Sequence, residues 1–285
     1  MINRRTLAGV TVILVSFSLL AATIDPINRT VTSAAFLVDW HATDPEEIVE
    51  IRWNGSANLT NTWQHPGCPD GGDLEFFGNS WGTGEGEEDP FVSLVGWGTT
   101  GTWQGMGGNG VRIDSSASGC FGTSGIPVQT RYRFWDNGPT ANRIRVQRRF
   151  EFGSTSFERD FRPYVPRLYP RDQYAQVIHP DAAGTSLVTE VSADCEFGCR
   201  VTDWDGSWFA IHAPSSGRGL IVRHDSSAYS VALWVDQDAA SFTSASSVLL
   251  LEPGGGFSGD VVDVQFLCFY DSSLWTPSLT LPPGC

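Results

Sequence analysis

The chain has 285 residues, a formal net charge of −14 and 18 basic side chains, all of them arginine because lysine is absent. Such an acidic balance argues against nucleic acid as the partner. Abundant glycine, a 12% aromatic content and the absence of long helical patterns predict an all-β protein with enough chain for one large domain.

The first 23 residues resemble a secretory signal. Arg4 and Arg5 precede an apolar run that extends from Leu7 to Ala22, which is the order of charged and hydrophobic regions in a signal peptide. We therefore expect residues 1–23 to be removed on export and residues 24–285 to form a single secreted or extracytoplasmic domain without stable membrane insertion. An uncleaved anchor is the alternative, although the run is short for a membrane span.

Six cysteines follow this segment, and an even number in an exported chain predicts disulfides. Proximity favours one bond across the tight CEFGC turn, a second that staples the C-terminal tail, and a third between the two remaining cysteines. A metal site at the CEFGC turn is the alternative, but no histidine or second cysteine pair lies at ligand spacing beside it. We expect no metal and no cofactor. The predicted pairs are Cys195–Cys199, Cys268–Cys285 and Cys68–Cys120.

The first half of the chain alternates between strand patterns and turns. The stretch from Val31 to Trp53 predicts two strands around a turn at residues 43–45. The stretch from Leu74 to Cys120 is rich in glycine and tryptophan. Indole rings in this context either pack in a sandwich core or stack against sugar rings, and core packing is the default interpretation.

The segment from Val128 to Phe152 predicts an antiparallel hairpin with a long loop. Alternation places Tyr132, Phe134, Ile144, Val146, Phe150 and Phe152 on one apolar face. The opposite face then carries a stripe of guanidinium groups, which is the clearest chemical feature of this acidic chain. The stripe consists of Arg131, Arg133, Arg143, Arg145 and Arg149.

The next segment, Phe157 to Pro180, contains four prolines, which argue against a central strand through most of it. Arginine and tyrosine recur along it every two or three residues. One interpretation is a tethered crossover whose arginines pair with surface acids. The other is a binding rim in which guanidinium forks hold carboxylate or sulfate groups. The residues of this rim are Arg162, Tyr164, Arg167, Tyr169, Arg171 and Tyr174.

From Leu187 onward the pattern is a meander of strands. Asp205-Gly206 between alternating apolar residues is a strong hairpin signal. Residues 247–271 predict two strands around the turn Pro253-Gly254. This last pair, together with the RIRVQRRFEFG strand, resembles the closing hairpin and long strands of galactose mutarotase-like supersandwich domains. The resemblance implies a large antiparallel β-sandwich.

The resemblance also carries functional expectations. Epimerases of that family use a histidine as the acid and a glutamate as the base. The segment expected to carry the base, Ser230 to Ser247, contains no glutamate. His179 and His212 correspond to the acid only by their approximate order in the chain. The fold is similar to that of polysaccharide lyases, which neutralise a uronate carboxylate and abstract the adjacent proton with tyrosine or histidine. The arginine and tyrosine content suits lyase chemistry better.

The sequence therefore predicts an exported carbohydrate-binding β-sandwich that acts on an acidic polysaccharide by lyase or epimerase chemistry. A non-catalytic exported surface or binding protein of the same fold is the alternative, and a hydrolase outside carbohydrate metabolism is a third. Tyr164 and His179 are the expected catalytic residues. The expected substrate-binding residues are Arg131, Arg133, Arg143, Arg145, Arg162, Arg167, Tyr169, Arg171 and Tyr174.

Overall fold

A computed structural model of the protein describes most strands and several of their connections. The described residues are 23–25, 27–28, 30–32, 36–40, 47–53, 74–75, 79–81, 87–88, 90–99, 109–119, 122–134, 143–151, 161–168, 176–190, 199–225, 230–238, 241–250, 260–283 and 285. The predicted signal segment, apart from Thr23, lies outside them. Among these residues no helix has the length and apolar character needed to cross a membrane.

The regular structure of the described residues consists of strands. In chain order they are β1 (Thr23–Asp25), β2 (Thr30–Thr32), β3 (Phe36–Trp40), β4 (Glu47–Trp53), β5 (Leu74–Glu75), β6 (Asn79–Trp81), β7 (Glu87–Glu88), β8 (Pro90–Thr99), β9 (Asn109–Gly119), β10 (Gly122–Phe134), β11 (Arg143–Glu151), β12 (Phe161–Leu168), β13 (Gln176–Pro180), β14 (Leu187–Glu190), β15 (Cys199–Val201), β16 (Trp208–Ala213), β17 (Arg218–His224), β18 (Ser230–Asp238), β19 (Ser241–Leu250) and β20 (Asp260–Tyr270).

The described strands form two sheets of eleven and nine strands. The eleven-stranded sheet runs β1-β2-β3-β4-β5-β12-β19-β18-β15, with β6 and β7 attached beside β12. The nine-stranded sheet runs β14-β13-β16-β17-β20-β11-β10-β9-β8. The all-β class predicted from the sequence is confirmed.

The hydrophobic core lies between the two sheets. Phe36 of β3 packs against Phe269 of β20, with ring centroids 5.5 Å apart, and against Phe134 of β10 at 6.0 Å. These contacts join one sheet to the other, as in a β-sandwich. The buried core residues are Val31, Phe36, Val38, Tyr132, Phe134, Ile144, Val146, Val177, Phe209, Ile211, Ala213, Leu220, Val222, Leu233, Val235, Leu267 and Phe269.

A second apolar cluster lies on the outer face of the nine-stranded sheet. Trp208 of β16 and Tyr270 of β20 pack edge-on against Trp275 of the C-terminal tail, with ring centroids 5.8 and 4.8 Å apart. The tail is also bonded covalently to the sheet, because Cys268 of β20 forms a disulfide with Cys285. The tail therefore covers part of this outer face.

The structure confirms several expectations from the sequence. The pairs β3–β4 and β10–β11 are antiparallel, and Tyr132 opposes Val146 in β10–β11. The Cys268–Cys285 pair is confirmed. Cys199 is also disulfide-bonded, and its partner, like the predicted Cys68–Cys120 pair, lies outside the described residues.

Three local predictions were wrong. The proline-rich segment contains β12, which pairs with β19 on one side and with β5 and β6 on the other. Pro166 is tolerated there because the register with β19 shifts between Tyr164 and Arg167. The segment also contains β13, which lies between β14 and β16.

The other two errors concern hairpins. Asp205-Gly206 does form a turn, in which Gly206 has a φ of 82° and the Asp205 carboxylate accepts a bond from the Ser207 amide at 2.8 Å. However, β15 before the turn and β16 after it belong to different sheets. The strands β19 and β20 around Pro253-Gly254 also belong to different sheets. Both pairs of consecutive strands therefore belong to different layers of the sandwich.

Candidate functional site

The outer face of the nine-stranded sheet carries a group of arginines that we call the arginine face. Ile144 and Val146 of β11 point into the core, so alternation directs the arginines beside them outward. Arg133 is buried, Arg149 is exposed, and the other members are half-buried. The arginine face consists of Arg131, Arg133, Arg143, Arg145, Arg149 and Arg223.

Four of the outward side chains form a row across neighbouring strands. Arg133 of β10 lies opposite Arg145 of β11. Arg145 lies opposite Phe266 of β20, which in turn lies opposite Arg223 of β17. Directly opposed residues in antiparallel strands have their Cβ atoms about 5 Å apart. The fold therefore aligns three arginines and one aromatic ring across four neighbouring strands.

Burial and neighbouring charges both act on the guanidinium groups of the arginine face. Burial lowers the pKa of Arg133, and the charges of Arg143 and Arg145 lower it further. Burial also lowers the pKa of Arg143, with a second contribution from the charge of Arg223. Burial lowers the pKa of Arg145, against which the Asp225 carboxylate acts in the opposite direction. Each shift favours the neutral guanidine, and a bound anion would oppose it.

Local contacts fix the positions of these side chains. The guanidinium carbons of Arg143 and Arg223 lie 5.3 and 4.7 Å from the centroid of the Phe266 ring, within the range of cation–π attraction. Arg223 also forms an ion pair with Asp225 at 3.2 Å. Arg145 donates a hydrogen bond to the Gln147 side chain at 3.2 Å. The arrangement is therefore preorganised by contacts within the protein.

A histidine–tyrosine pair lies further along the same face, in the part covered by the tail. The His212 Nδ1 atom is 2.8 Å from the Tyr270 hydroxyl oxygen, and the two rings are nearly parallel. Gly219 of β17 lies between them in register. A Cβ atom at Gly219 would overlap the Tyr270 hydroxyl, so glycine is required for this close approach. Burial lowers the pKa of His212.

The predicted catalytic histidine lies elsewhere. His179 of β13 is fully buried. Its Nδ1 atom is 2.7 Å from the Pro180 carbonyl oxygen, and its Nε2 atom is 3.1 Å from the Glu190 carboxylate on β14. Both ring nitrogens are thus engaged by the protein. By alternation His179 shares the core face of β13 with Val177, so it lies on the face opposite to the arginine face.

The remaining predicted site residues lie on the other sheet or outside the described residues. In β12, Arg162 pairs with Ser80, Tyr164 with Val248, and Arg167 with Ser246. This strand belongs to the eleven-stranded sheet, whereas the arginine face points away from that sheet. The structure thus separates the hairpin arginines from the β12 residues. Tyr169, Arg171 and Tyr174 lie outside the described residues.

Arg223 and Phe266 were not predicted as site residues from the sequence, and the pairing of His212 with Tyr270 was not predicted either. The alternation in RGLIVRH does place Arg223 and Val222 on opposite faces. No signal in the sequence shows that β17 lies beside β20, which is what brings Arg223 to Phe266. Within the described part of the chain, no group of three His, Cys, Asp or Glu side chains is arranged to hold a metal ion.

Comparisons with known proteins identify the fold. No protein-family model matches the chain, and no curated protein matches it by sequence. Among solved structures, the chain is similar to the α-N-acetylgalactosaminidase NagBb of Bifidobacterium bifidum, with a TM-score of 0.50 and 12% identity. The similarity covers 85% of this chain and 36% of that enzyme. The chain therefore spans about a third of the length of this enzyme.

Two further structures overlap less closely. Heparan sulfate lyase HepC of Pedobacter heparinus has a TM-score of 0.43 and 10% identity over 86% of this chain and 34% of the lyase. A GalM/aldose epimerase homologue of C. elegans has a TM-score of 0.37 and 10% identity over 88% of this chain and 95% of the homologue. The predicted resemblance to galactose mutarotase-like sandwich domains is confirmed as a weak one. The β fold is one that carbohydrate-active enzymes contain.

Proposed function

We propose that this chain is an exported β-sandwich protein that binds an anionic polysaccharide through the arginine face. The observation that carries this proposal is the register of the sheet, which places Arg133 opposite Arg145 and both Arg145 and Arg223 opposite Phe266 on one face. A guanidinium group attracts carboxylate and sulfate oxygens, and several such groups on one face would attract a polyanion. The protein as a whole carries a net charge of −14, whereas this one face collects six arginines.

The chemistry of arginine favours a ligand with planar or tetrahedral oxyanions. A guanidinium group presents N–H donors in a fixed fork that matches carboxylate and sulfate oxygens. Arg131, Arg143 and Arg145 are half-buried and Arg149 is exposed, so these side chains combine a packed stem with an accessible charged end. Arg133 is only 1% exposed, and we assign it a supporting role beside Arg145, its cross-strand neighbour.

Carbohydrate is the polyanion class that fits the fold. The enzyme NagBb acts on a glycan, and HepC is a lyase of a sulfated polysaccharide by its name. Export is part of the proposal because disulfides persist in oxidising compartments, and the chain contains the Cys268–Cys285 bond. A uronate-containing or sulfated glycan outside the cytoplasm would be both an anionic carbohydrate and accessible to an exported protein.

Binding without turnover is the form of this function that the geometry supports best. Lyase action needs a base beside the anion-binding groups. His179 is buried with both ring nitrogens engaged, and Tyr164 is on the eleven-stranded sheet. The His212 and Tyr270 side chains do lie on the same sheet face, but they are buried and hydrogen-bonded to each other in the part covered by the tail. None of these groups is therefore an accessible base beside the arginine face.

The proposal is tested by calorimetric titration of the mature protein with a polygalacturonate hexamer, a heparin-derived hexasaccharide and neutral maltohexaose at low and high salt. We expect the acidic oligosaccharides alone to bind, with an affinity that falls as salt increases. Arg145→Gln should weaken binding about tenfold, since it removes a charged donor group. The matched control is Arg200→Gln, because Arg200 is an exposed arginine of β15 on the other sheet.

Equal affinity for neutral and acidic oligosaccharides would refute the proposal, as would equal losses in the two variants. Ultraviolet absorbance of the same mixtures separates binding from lyase action, since lyase products are unsaturated uronates. Growth of that absorbance with time would show turnover and replace the binding function with an enzymatic one.

A further inference from the structure

Arg223 occupies a distinct position on the arginine face because the C-terminal tail holds it. Its Nη1 atom donates a hydrogen bond to the main-chain oxygen of Cys285. Its Nη2 atom donates to the Asp225 carboxylate at 3.2 Å. The guanidinium carbon lies 4.7 Å from the centroid of the Phe266 ring. Three groups from different parts of the chain thus determine where this charge lies.

The tail that supplies the Cys285 oxygen is itself fixed to the sheet. Cys285 is bonded to Cys268, with Cα atoms 5.9 Å apart, and Cys268 lies two residues along β20 from Phe266. Trp275 packs on Tyr270, and its indole donates a hydrogen bond to the Thr280 carbonyl at 2.9 Å. The tail therefore brings the Cys285 main-chain oxygen to the guanidinium through a covalent bond and through packed aromatic contacts.

The position of Arg223 affects its neighbour on the arginine face. Arg143 lies over the same Phe266 ring, with its guanidinium carbon 5.3 Å from the centroid. Both guanidinium groups thus lie over one ring, and the charge of Arg223 lowers the pKa of Arg143. A displacement of Arg223 would therefore change the electrostatic potential that a ligand meets at Arg143.

We propose that Arg223 determines the preference of the arginine face for anionic ligands, and that the disulfide-bonded tail is the device that positions it. This inference rests on the proposed function, because it names a further residue and a positioning element of the same site. A guanidinium group carries five N–H donors, so Arg223 can keep its contacts to Cys285 and Asp225 and still donate to a bound carboxylate or sulfate group. Lysine in its place would keep the charge without the fork.

The decisive experiment is a double-mutant cycle with the heparin-derived hexasaccharide as the probe and maltohexaose as the neutral control. The first change is Arg223→Gln, and the second is the paired change Cys268→Ser with Cys285→Ser, which releases the tail. We expect Arg223→Gln to weaken hexasaccharide binding about tenfold and to reduce its salt dependence. Release of the tail should weaken binding in the wild type but cause little further loss in the Arg223→Gln background, because coupled residues are not additive.

Arg223→Lys provides a measurement that does not depend on the folding of the cysteine variant. It should retain the salt dependence but bind the probe more weakly than the wild type. If Arg223→Gln binds as the wild type does while Arg145→Gln loses affinity, the role of Arg223 is refuted and the proposed function stands. If the effects of tail release and Arg223→Gln are additive, the positioning role of the tail is refuted. If the wild type does not bind the hexasaccharide, the proposed function fails and the inference fails with it.

Discussion

The two faces of the nine-stranded sheet are built from the same strands but stabilised in different ways. On the inner face, Phe134, Val146 and Phe269 are fully buried in the core between the sheets. On the outer face, arginines and a ring share the β10–β11–β20–β17 surface, while the tail covers the region around Tyr270. The inner face depends on area removed from water. The outer face instead depends on guanidinium contacts and on a covalently attached tail.

The outer face is itself divided into two parts. The tail-covered part is packed like a core, since Trp208, Tyr270 and Trp275 are all buried. The arginine face beside it keeps half-buried side chains and interacting charges. This contrast shows that one region of the sheet surface is packed as a core while the neighbouring region keeps partly exposed charged side chains.

The largest difference is expected between substitutions on opposite faces. Phe269→Ala removes a fully buried ring that stacks on Phe36, so it should reduce the free energy of unfolding by about 3–5 kcal/mol. Arg145→Ala, on the half-buried outer face, should cost about 1 kcal/mol or less. Urea unfolding followed by tryptophan fluorescence measures both. Equal losses would show that the assignment of the two faces is wrong.

A smaller loss is expected in the tail-covered part. Gly219→Ala places a Cβ atom against the Ile211 carbonyl oxygen and the Tyr270 hydroxyl, so we expect it to destabilise the protein by about 1–3 kcal/mol. Tyr270→Phe is the matched variant, since it removes the hydroxyl bond to His212 but adds no bulk, and it should cost about 1 kcal/mol. A Gly219→Ala protein as stable as the wild type would mean that this region is loosely packed.

The mildest effect concerns pH in the same region. Burial lowers the folded-state pKa of His212 below its usual value of 6.5. As the pH falls, His212 therefore takes up a proton in the unfolded chain before it does so in the folded protein. Its contribution to the free energy of unfolding is fully present above the pKa of the unfolded state, and it is lost as the pH falls from that value to the pKa of the folded state. Hydrogen bonds lower the pKa values of Asp181 and Asp271. Protonation of these two carboxylates therefore affects stability only at more acidic pH.

Urea unfolding at about pH 7.5 and about pH 5 measures this dependence. We expect His212→Gln to reduce the loss of stability between the two pH values, because glutamine has no proton to gain. An unchanged pH dependence in the variant would contradict a buried, neutral His212.

The candidate site was only partly predictable from the sequence. Arg131, Arg143, Arg145 and the aromatic positions Tyr132 and Phe134 could be assigned to opposite faces because alternation within a strand is a local property. The burial of Arg133 could not be predicted, because its exposed fraction depends on neighbouring strands. The grouping of the hairpin arginines with Arg162 and Arg167 assumed that residues near in sequence share a surface.

The sequence by itself determined the all-β class, the antiparallel β10–β11 pair and the bond between Cys268 and Cys285, because each depends on side-chain alternation or on short separation along the chain. Only the tertiary structure decided that β15 and β16, and likewise β19 and β20, lie in different sheets, and that Arg223 meets Phe266. A turn with suitable residues can connect two strands of one sheet or two layers of a sandwich. The choice is made by hydrogen bonds and burial between strands that are distant in the sequence.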